Sequence, residues 1–161
     1  MSQSEPTTEQ HTQQIAEEKP PEEQKELFLQ PEPINEEPLD DTTPKLHVLI
    51  RCDLGMTKGK ICAQAAHAVL GLYKDLMERQ PMEFSLWASV GFPQETYQAN
   101  SAEDLYSTER MAKQFDLMGY VVHDAGRTQI AAMSATVCAV GPATCAQVKG
   151  LLQDRGFKKL E

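Results

Sequence analysis

Residues 47–68 read HVLIRCDLGMTKGKICAQAAHA, and this stretch decides the fold class. Its opening, His47–Cys52, is short, mostly apolar and partly β-branched, which predicts a buried strand. Thr57 is suited to cap a helix, because its hydroxyl can accept a hydrogen bond from an N–H of the first turn. From Lys58 the apolar side chains recur at helical spacing and stop before Pro81, which predicts a long helix. A strand joined to a helix by a tight turn indicates an α/β domain.

A second stretch of the same kind lies at residues 120–130 and reads YVVHDAGRTQI. It predicts a strand that ends at Asp124, where Gly126 permits a sharp turn that exposes the carboxylate. A third strand is predicted over Thr136–Val140. Because α/β folds carry their chemistry at the carboxyl ends of strands, we expect Asp124 and Lys58 to lie close together.

The remaining elements are predicted from shorter signals. A helical turn is expected around residues 84–88. A helix is expected to start at Ser101, with Asp104 at the capping-box position, and to stop at Gly119. A last helix is expected to open at Gly141-Pro142. The sequence contains no internal repeat.

The first 44 residues differ from the rest in composition. Residues 1–45 hold seven of the ten prolines, none of the nine glycines, and 12 acidic against 3 basic residues, whereas the remaining 116 residues hold 12 of each sign. A segment with so much charge and so few apolar residues cannot bury enough apolar surface to offset the conformational entropy that it would lose on folding. Residues 1–44 are therefore predicted to be a disordered, acidic, Pro-rich leader, and residues 45–161 the domain. The leader lacks a signal-peptide, membrane-span or transit-peptide pattern, so we expect a cytoplasmic protein without membrane contact.

The four cysteines show no C-x-x-C pair; they are Cys52, Cys62, Cys138 and Cys145. Buried or half-buried thiols are therefore expected rather than disulfides or a zinc site, and no metal or cofactor is predicted. No Ser or Cys lies in a nucleophile-elbow context, so a covalent intermediate is not expected.

Lys58, Gly59 and Lys60 lie where the first long helix is predicted to begin. Free main-chain N–H groups and the positive end of the helix dipole favour anions there, and the lysines add charge. A nucleotide P-loop does not fit, because Gly55 and Gly59 are one residue too close together and Ile61 replaces the Ser/Thr that would hold magnesium. Ordinary solvated lysines remain an open interpretation at this point.

Together the two stretches resemble the type 2 peptidyl-tRNA hydrolase family, whose sequences carry D-L-x-M-x-K-G-K-x-x-A-Q-x-x-H-A and, later, D-A-G-x-T-x-I. The resemblance covers about residues 46–150. It implies a three-layer α/β/α sandwich on a four-stranded mixed sheet. The implied activity is hydrolysis of the ester that joins a peptidyl or N-blocked aminoacyl group to tRNA, which recycles tRNA from stalled or abortive translation.

Two segments depart from the family's pattern. Glu95–Ala99 is polar where the family has a valine-rich strand, so it is expected to be an edge strand or a poorly paired one. The loop at residues 131–135 lacks the Pro-Gly pair that is common in the family. The tail, Gly150–Glu161, departs from the family's usual ending as well. These differences bear on stability and specificity more than on the two motifs.

The resemblance also implies an active site. The positions that match the family's catalytic residues are Lys58, Asp124, Thr128 and Thr136. In the implied scheme the lysine stabilises the developing oxyanion or a phosphate, the aspartate holds the lysine and positions or deprotonates water, and the threonines hydrogen-bond water or the leaving ribose. Substrate binding is expected to involve Lys60, Gln64, Arg127 and His67, with the histidine beneath the pocket. Asp53 either orients the lysine or caps the turn.

Structural interpretations compete with each of these roles. Asp124 could be a turn residue, the threonines could satisfy backbone groups, and Arg127 could form a surface ion pair. At the level of function, the competing classes are a non-catalytic adaptor and a module that binds tRNA without cleaving the ester.

A tRNA ligand requires basic surface, although the folded part has no net charge. Its basic residues must therefore cluster, and the candidates for one side are Lys58, Lys60, Arg127, Lys113 and Lys149. For the acidic leader, three roles stay open: solubility, transient competition with tRNA for the basic face, and docking of a protein partner. The sequence also leaves open a homodimer.

Overall fold

The computed structural model describes residues 40–125 and 131–160. Within these ranges the strands are β1 Lys45–Arg51, β2 Gln94–Ala99, β3 Gly119–His123, β4 Ala135–Ala143 and β5 Lys158–Lys159. The helices are α1 Lys58–Arg79, α2 Pro81–Ser89, α3 Ala102–Gln114 and α4 Cys145–Val148, and α4 continues into a π-helical turn, Lys149–Gln153. The predicted leader lies outside the described ranges except for its last five residues.

The strands form one mixed sheet in the order β3-β4-β1-β2-β5. β1 and β2 are parallel, whereas β4 is antiparallel to both β1 and β3. β1, β2 and β3 therefore run in the same direction and end at one edge of the sheet, the carboxyl edge. α1 and α3 begin at this edge, because they follow β1 and β2. The described sheet has five strands where four were expected, and the additional strand, β5, is a two-residue strand paired with β2.

Helices cover both faces of the sheet, which confirms the expected α/β/α sandwich. On one face, Leu46, Val48 and Ile50 of β1 pack with side chains of α1 and α2. On the other face, Leu49 packs with side chains of α3 and of the α4 segment. Successive side chains of a strand point to opposite faces, so one strand supplies both halves of the core.

Both predicted helix caps are confirmed. The Thr57 side chain caps α1 by accepting a hydrogen bond from the main-chain N–H of Lys60 at 3.4 Å. Ser101 and Asp104 form the expected capping box at the start of α3. These caps satisfy N–H groups that the helices themselves cannot pair, which is why the two helices begin where the sequence indicates.

One predicted boundary was wrong. Gly141-Pro142 lies inside β4 and is joined by a cis peptide bond, and the last helix begins only at Cys145, after the capping residue Thr144. Residues 40–44, which were placed in the leader, include a hydrogen-bonded turn, and the carbonyl of Asp41 accepts a hydrogen bond from the Cys145 N–H at 3.2 Å. This contact ties the turn to the start of α4.

The four cysteines are free thiols. Cys138 and Cys145 are buried and Cys52 is half-buried, as expected, and burial raises the pKa of the Cys138 thiol. Cys62 is exposed, so the expectation of burial was wrong for this residue. It lies two residues after Lys60 on α1, so its side chain points about 200° around the helix from that of Lys60.

The polar side chains of β2 are paired rather than solvated. β2 is in continuous register with β1, so it is not poorly paired, and the short β5 covers only part of its other side. Glu95 accepts hydrogen bonds from Lys159 Nζ at 2.8 Å and from the Tyr97 hydroxyl at 2.7 Å, and Lys45 Nζ lies 3.4 Å away. Burial opposes ionisation of Glu95, but these hydrogen bonds and charges outweigh it and lower its pKa to about 2.

The lowered pKa of Glu95 predicts acid sensitivity of the fold. A carboxyl group with a depressed pKa stabilises the folded state above its unfolded pKa, and this contribution is lost as the pH falls toward about 2. Urea unfolding of the wild type should therefore show a loss of about 2 kcal/mol between pH 5 and pH 3 that Glu95→Gln does not show. Glu83 is an exposed acid on α2, and Glu83→Gln serves as the control. Its free energy of unfolding should fall between pH 5 and pH 3 by as much as that of the wild type. An equal loss in Glu95→Gln would contradict this assignment.

Candidate active site

The start of α1 and the end of β3 meet at the carboxyl edge. Lys60, in the first turn of α1, places its Nζ atom 3.0 Å from Oδ2 of Asp124, the residue that follows β3. The exposed fraction of the two side chains is 13% for Lys60 and 7% for Asp124. This ion pair is largely withdrawn from water. It lies at the edge of the sheet where the sequence predicts the active site.

The lysine in this pair is not the expected one. Lys58 is exposed at the first position of α1, and the contact predicted for it is made by Lys60. Residues two apart on a helix point about 200° apart, so the two lysines cannot face the same strand. Lys60 lies on the flank of α1 that also carries Gln64 and Gly71, and both of these residues contact the β3 and β4 side of the sheet.

Asp124 is held by its main chain, which leaves its carboxylate for other contacts. Its N–H donates to the carbonyl of Ser134 and its carbonyl accepts from the N–H of Met133, both at 2.9 Å. Oδ2 is buried and accepts no hydrogen bond from the described residues, so its contact with Lys60 has the distance of an ion pair without the alignment of a hydrogen bond. A buried carboxylate oxygen that is incompletely hydrogen-bonded is costly for stability and typical of a functional site.

A β-bulge turns Thr136 toward α1. In the ladder between β3 and β4, Val122 lies opposite Val137 and His123 opposite Ala135, so Thr136 is the extra residue of β4. Bulges redirect side chains and are frequent beside active sites. The Thr136 hydroxyl lies 2.7 Å from Gln64 Oε1 and 3.2 Å from the carbonyl of Val122.

Thr136 is fully buried, and both of its hydroxyl contacts are within the protein. This geometry differs from the expected hydrogen bond to water or to the ribose. It instead makes Thr136 a link between β4 and Gln64, the polar residue one helical turn after Lys60.

Arg51 is a residue of this edge that the sequence did not single out. At the end of β1, its Nε donates to Asp53 Oδ1 at 2.9 Å and its Nη1 donates to the carbonyl of Ala135 at 3.2 Å. The hydrogen bond from Arg51 lowers the pKa of the Asp53 carboxyl. Asp53 therefore pairs with Arg51 rather than with Lys58, and Arg51 connects the end of β1 to the residue before Thr136.

Three expected site residues remain, and the structure describes one of them. His67 is exposed and lines a cavity between α1 and β3, rather than lying beneath the pocket. Arg127 and Thr128 lie outside the described residues, so their roles stay predictions.

The four basic candidates among the described residues do not share one side. Lys58 and Lys60 lie at the carboxyl edge, where α1 begins. Lys113 is near the end of α3, which runs away from that edge, and is paired with Glu109 at 3.1 Å. Lys149 follows α4, which begins at the opposite edge because β4 runs in the opposite direction. The basic face predicted for tRNA can therefore include the first two lysines but not the last two.

The chain is similar to proteins of known family. A family model described as peptidyl-tRNA hydrolase PTH2 matches residues 44–155. A probable peptidyl-tRNA hydrolase 2 of Schizosaccharomyces pombe is 46% identical over 98 residues, which cover 61% of this chain and 48% of that protein. The peptidyl-tRNA hydrolase of Metallosphaera sedula is 39% identical over 100 residues, which cover 61% of this chain and 86% of that protein.

A human protein named peptidyl-tRNA hydrolase 2, mitochondrial, is 39% identical over 98 residues, covering 61% of this chain and 55% of that protein. The chain thus spans about half the length of the Schizosaccharomyces and human relatives and most of the Metallosphaera protein. In residues 40–125 and 131–160, no helix combines the length and the apolar character needed to cross a membrane.

Proposed function

Because this chain belongs to the type 2 peptidyl-tRNA hydrolase family, we propose that it hydrolyses the ester bond between tRNA and a peptidyl or N-blocked aminoacyl group, recycling tRNA from stalled or abortive translation. The observation that carries the proposal is the Lys60–Asp124 pair at the carboxyl edge. A buried carboxylate beside an ammonium group is an arrangement that packing alone does not favour.

Asp124 is the general base of the proposed reaction. Its carboxylate takes a proton from a water molecule as the water oxygen attacks the ester carbonyl. The bond from the carbonyl carbon to the ribose oxygen then breaks, and the ribose oxygen takes the proton back from Asp124 and leaves as a hydroxyl of tRNA. Lys60 keeps the carboxylate in place, since its Nζ lies 3.0 Å from Oδ2.

Lys58 supplies positive charge to the substrate. It is exposed at the first position of α1, where the helix dipole is positive. A charge placed there can bind a phosphate of the tRNA end. Lys58 therefore acts on the substrate directly, whereas Lys60 acts through Asp124.

Thr136 and Gln64 position the site rather than react. Their hydrogen bond joins β4 to α1 next to the Lys60–Asp124 pair. Gln64 is half-buried, so its amide can reach the substrate while Thr136 holds it. Thr128 and Arg127 are included in the proposed site because of the sequence motif alone.

The proposal is tested by incubating the purified chain with an N-acetyl-aminoacyl-tRNA and following the release of free tRNA. Hydrolysis above the spontaneous rate is expected, together with binding that weakens as salt rises. Binding without cleavage would favour the RNA-binding module, and neither binding nor cleavage would favour the adaptor. Either outcome would overturn the hydrolase proposal.

Cellular location and assembly are also proposals. We propose a cytoplasmic protein, on the absence of a recognisable targeting pattern in residues 1–44. Human and bovine relatives are named mitochondrial. A homodimer and a protein partner for the acidic leader stay predictions.

A further inference from the structure

The outer edge of β3 leads directly to the proposed active site. In the described sheet β3 is the edge strand, which pairs with β4 on one side and with no other described strand. Its last residue, His123, immediately precedes Asp124. A molecule that lies along this edge therefore meets the reacting carboxylate at the end of the strand.

The hydrogen-bonding pattern shows which main-chain groups face outward. Met118 accepts a hydrogen bond from Gly141 at 3.0 Å, and Asp124 donates one to Ser134 at 2.9 Å, so both residues face the β4 side. Along a strand, the N–H and C=O groups of alternate residues point to opposite sides. The main-chain groups of the odd-numbered residues of β3 therefore point away from β4: Gly119, Val121 and His123.

A groove follows this outward edge between two helices. A cavity of about 480 Å³ lies between α1 and β3 and is lined by His67 and Leu70 on the helix side. A second cavity of about 550 Å³, lined by Tyr106 of α3, shares several residues of β3 with the first. The shared residues are Tyr120, Val121 and His123. The main-chain edge of β3 is thus accessible from both sides.

Exposed apolar side chains flank the groove. Leu70 is 61% exposed and Tyr120 is 36% exposed. The Tyr120 ring lies directly over Gly71, where a Cβ atom would approach the ring to 2.4 Å. The glycine therefore lets the ring lie against α1. Exposed apolar groups beside a reactive site are typical of a surface that binds a ligand.

We propose that the outer edge of β3 binds the peptide part of the substrate as an added, extended strand, an inference that rests on the proposed function. Peptidyl-tRNAs from interrupted translation carry peptides of many sequences, so the main chain is the feature they share. A strand edge recognises main-chain N–H and C=O groups, whatever the side chains. The groove thereby supplies affinity for the peptide without selecting its sequence.

The direction of the bound peptide follows from the position of Asp124. The ester is at the peptide's carboxyl end and must lie at the carboxyl end of β3, so the peptide runs parallel to β3. The five residues of β3 span about 16 Å at about 3.3 Å per residue, enough for roughly five residues of an extended substrate. Alternate residues of that peptide turn their N–H and C=O groups toward β3.

The inference is tested with wild-type protein and a substrate series. N-acetylated alanyl-, dialanyl-, trialanyl- and tetraalanyl-tRNA should show kcat/KM rising about tenfold from the shortest to the longest. N-methylation of single amides in the longest substrate should lower kcat/KM several-fold at every second position and leave the positions between unaffected. Equal kcat/KM for all lengths, or methyl effects without this alternation, would overturn the strand-pairing inference while hydrolysis itself upholds the proposed function. No hydrolysis of any substrate would overturn both.

A pair of variants tests the same edge from the protein side. Val121→Pro removes one outward N–H, and proline is tolerated where an edge strand's N–H faces away from the sheet. The variant should reduce the preference for tetraalanyl- over alanyl-tRNA to near one. Val121→Ala keeps the N–H while removing most of the side chain, and should keep the preference. Loss of the preference in both variants would assign it to the side chain and contradict main-chain pairing.

Discussion

Replacement of Asp124 by asparagine is expected to lower the turnover of an N-acetyl-aminoacyl-tRNA by roughly 10²- to 10⁴-fold, the contribution of a positioned general base. Asparagine has almost the same volume but cannot take a proton from water at neutral pH. The main-chain hydrogen bonds of residue 124 to Ser134 and Met133 do not involve the side chain, so the hairpin should persist. Turnover is measured under single-turnover conditions, and thermal unfolding reports the fold.

Asp116→Asn is the matched control for this variant. The same aspartate-to-asparagine change is made there at an exposed position before β3, far from the carboxyl edge. Asp116 has a positive φ of 57°, a backbone conformation that asparagine also adopts. The control should keep the turnover of the wild type. If Asp124→Asn also kept it, Asp124 could not be the base and the proposed mechanism would fail.

Replacement of Lys60 by methionine is expected to lower kcat by roughly 10²-fold with little effect on the salt dependence of binding. Methionine keeps an unbranched stem of similar reach and removes the ammonium 3.0 Å from Asp124 Oδ2. Because the Lys60 side chain is largely buried, its loss should change the reactive carboxylate more than the surface that meets the tRNA. Lys60→Arg retains the charge and should retain more of kcat than Lys60→Met.

Lys58→Met is the comparison that separates the two lysines. Lys58 is exposed at the start of α1, so its loss should weaken binding and reduce the slope of log affinity against log salt by about one phosphate contact. Measuring kcat, KM and the salt slope for both variants gives opposite patterns under this proposal. Indistinguishable patterns would show that the Lys60–Asp124 pair has no separate role.

Local sequence predicted the elements well where a local contact decides them. Thr57 and Ser101 begin their helices because a side-chain hydroxyl and the nearby N–H groups are neighbours in the chain. The buried strand β1 follows from its apolar run. By contrast, Gly141-Pro142 was taken for a helix start, although pairing with β1 extends β4 as far as Ala143. That pairing joins residues almost one hundred positions apart, which no local signal reports.

The bulge at Thr136 illustrates the same limit within the site. The sequence placed Thr136 at the beginning of a strand, and a regular strand would alternate its side chains between the two faces. The extra residue in β4 instead lets Thr136 and Val137 both face α1. Its consequence, a hydrogen bond to Gln64, depends on the register between β3 and β4, which only their pairing establishes.

The order of amino acids alone was sufficient to predict that the start of α1 and the end of β3 lie together, because motif residues and strand ends are adjacent in the chain. Which ammonium faces Asp124 was decided by the tertiary structure. A helical stripe shows which side of α1 is apolar, but only the sheet order, with β3 beyond β4, determines which flank of α1 meets β3. That flank carries Lys60 rather than Lys58, because residues two apart along a helix point about 200° away from each other.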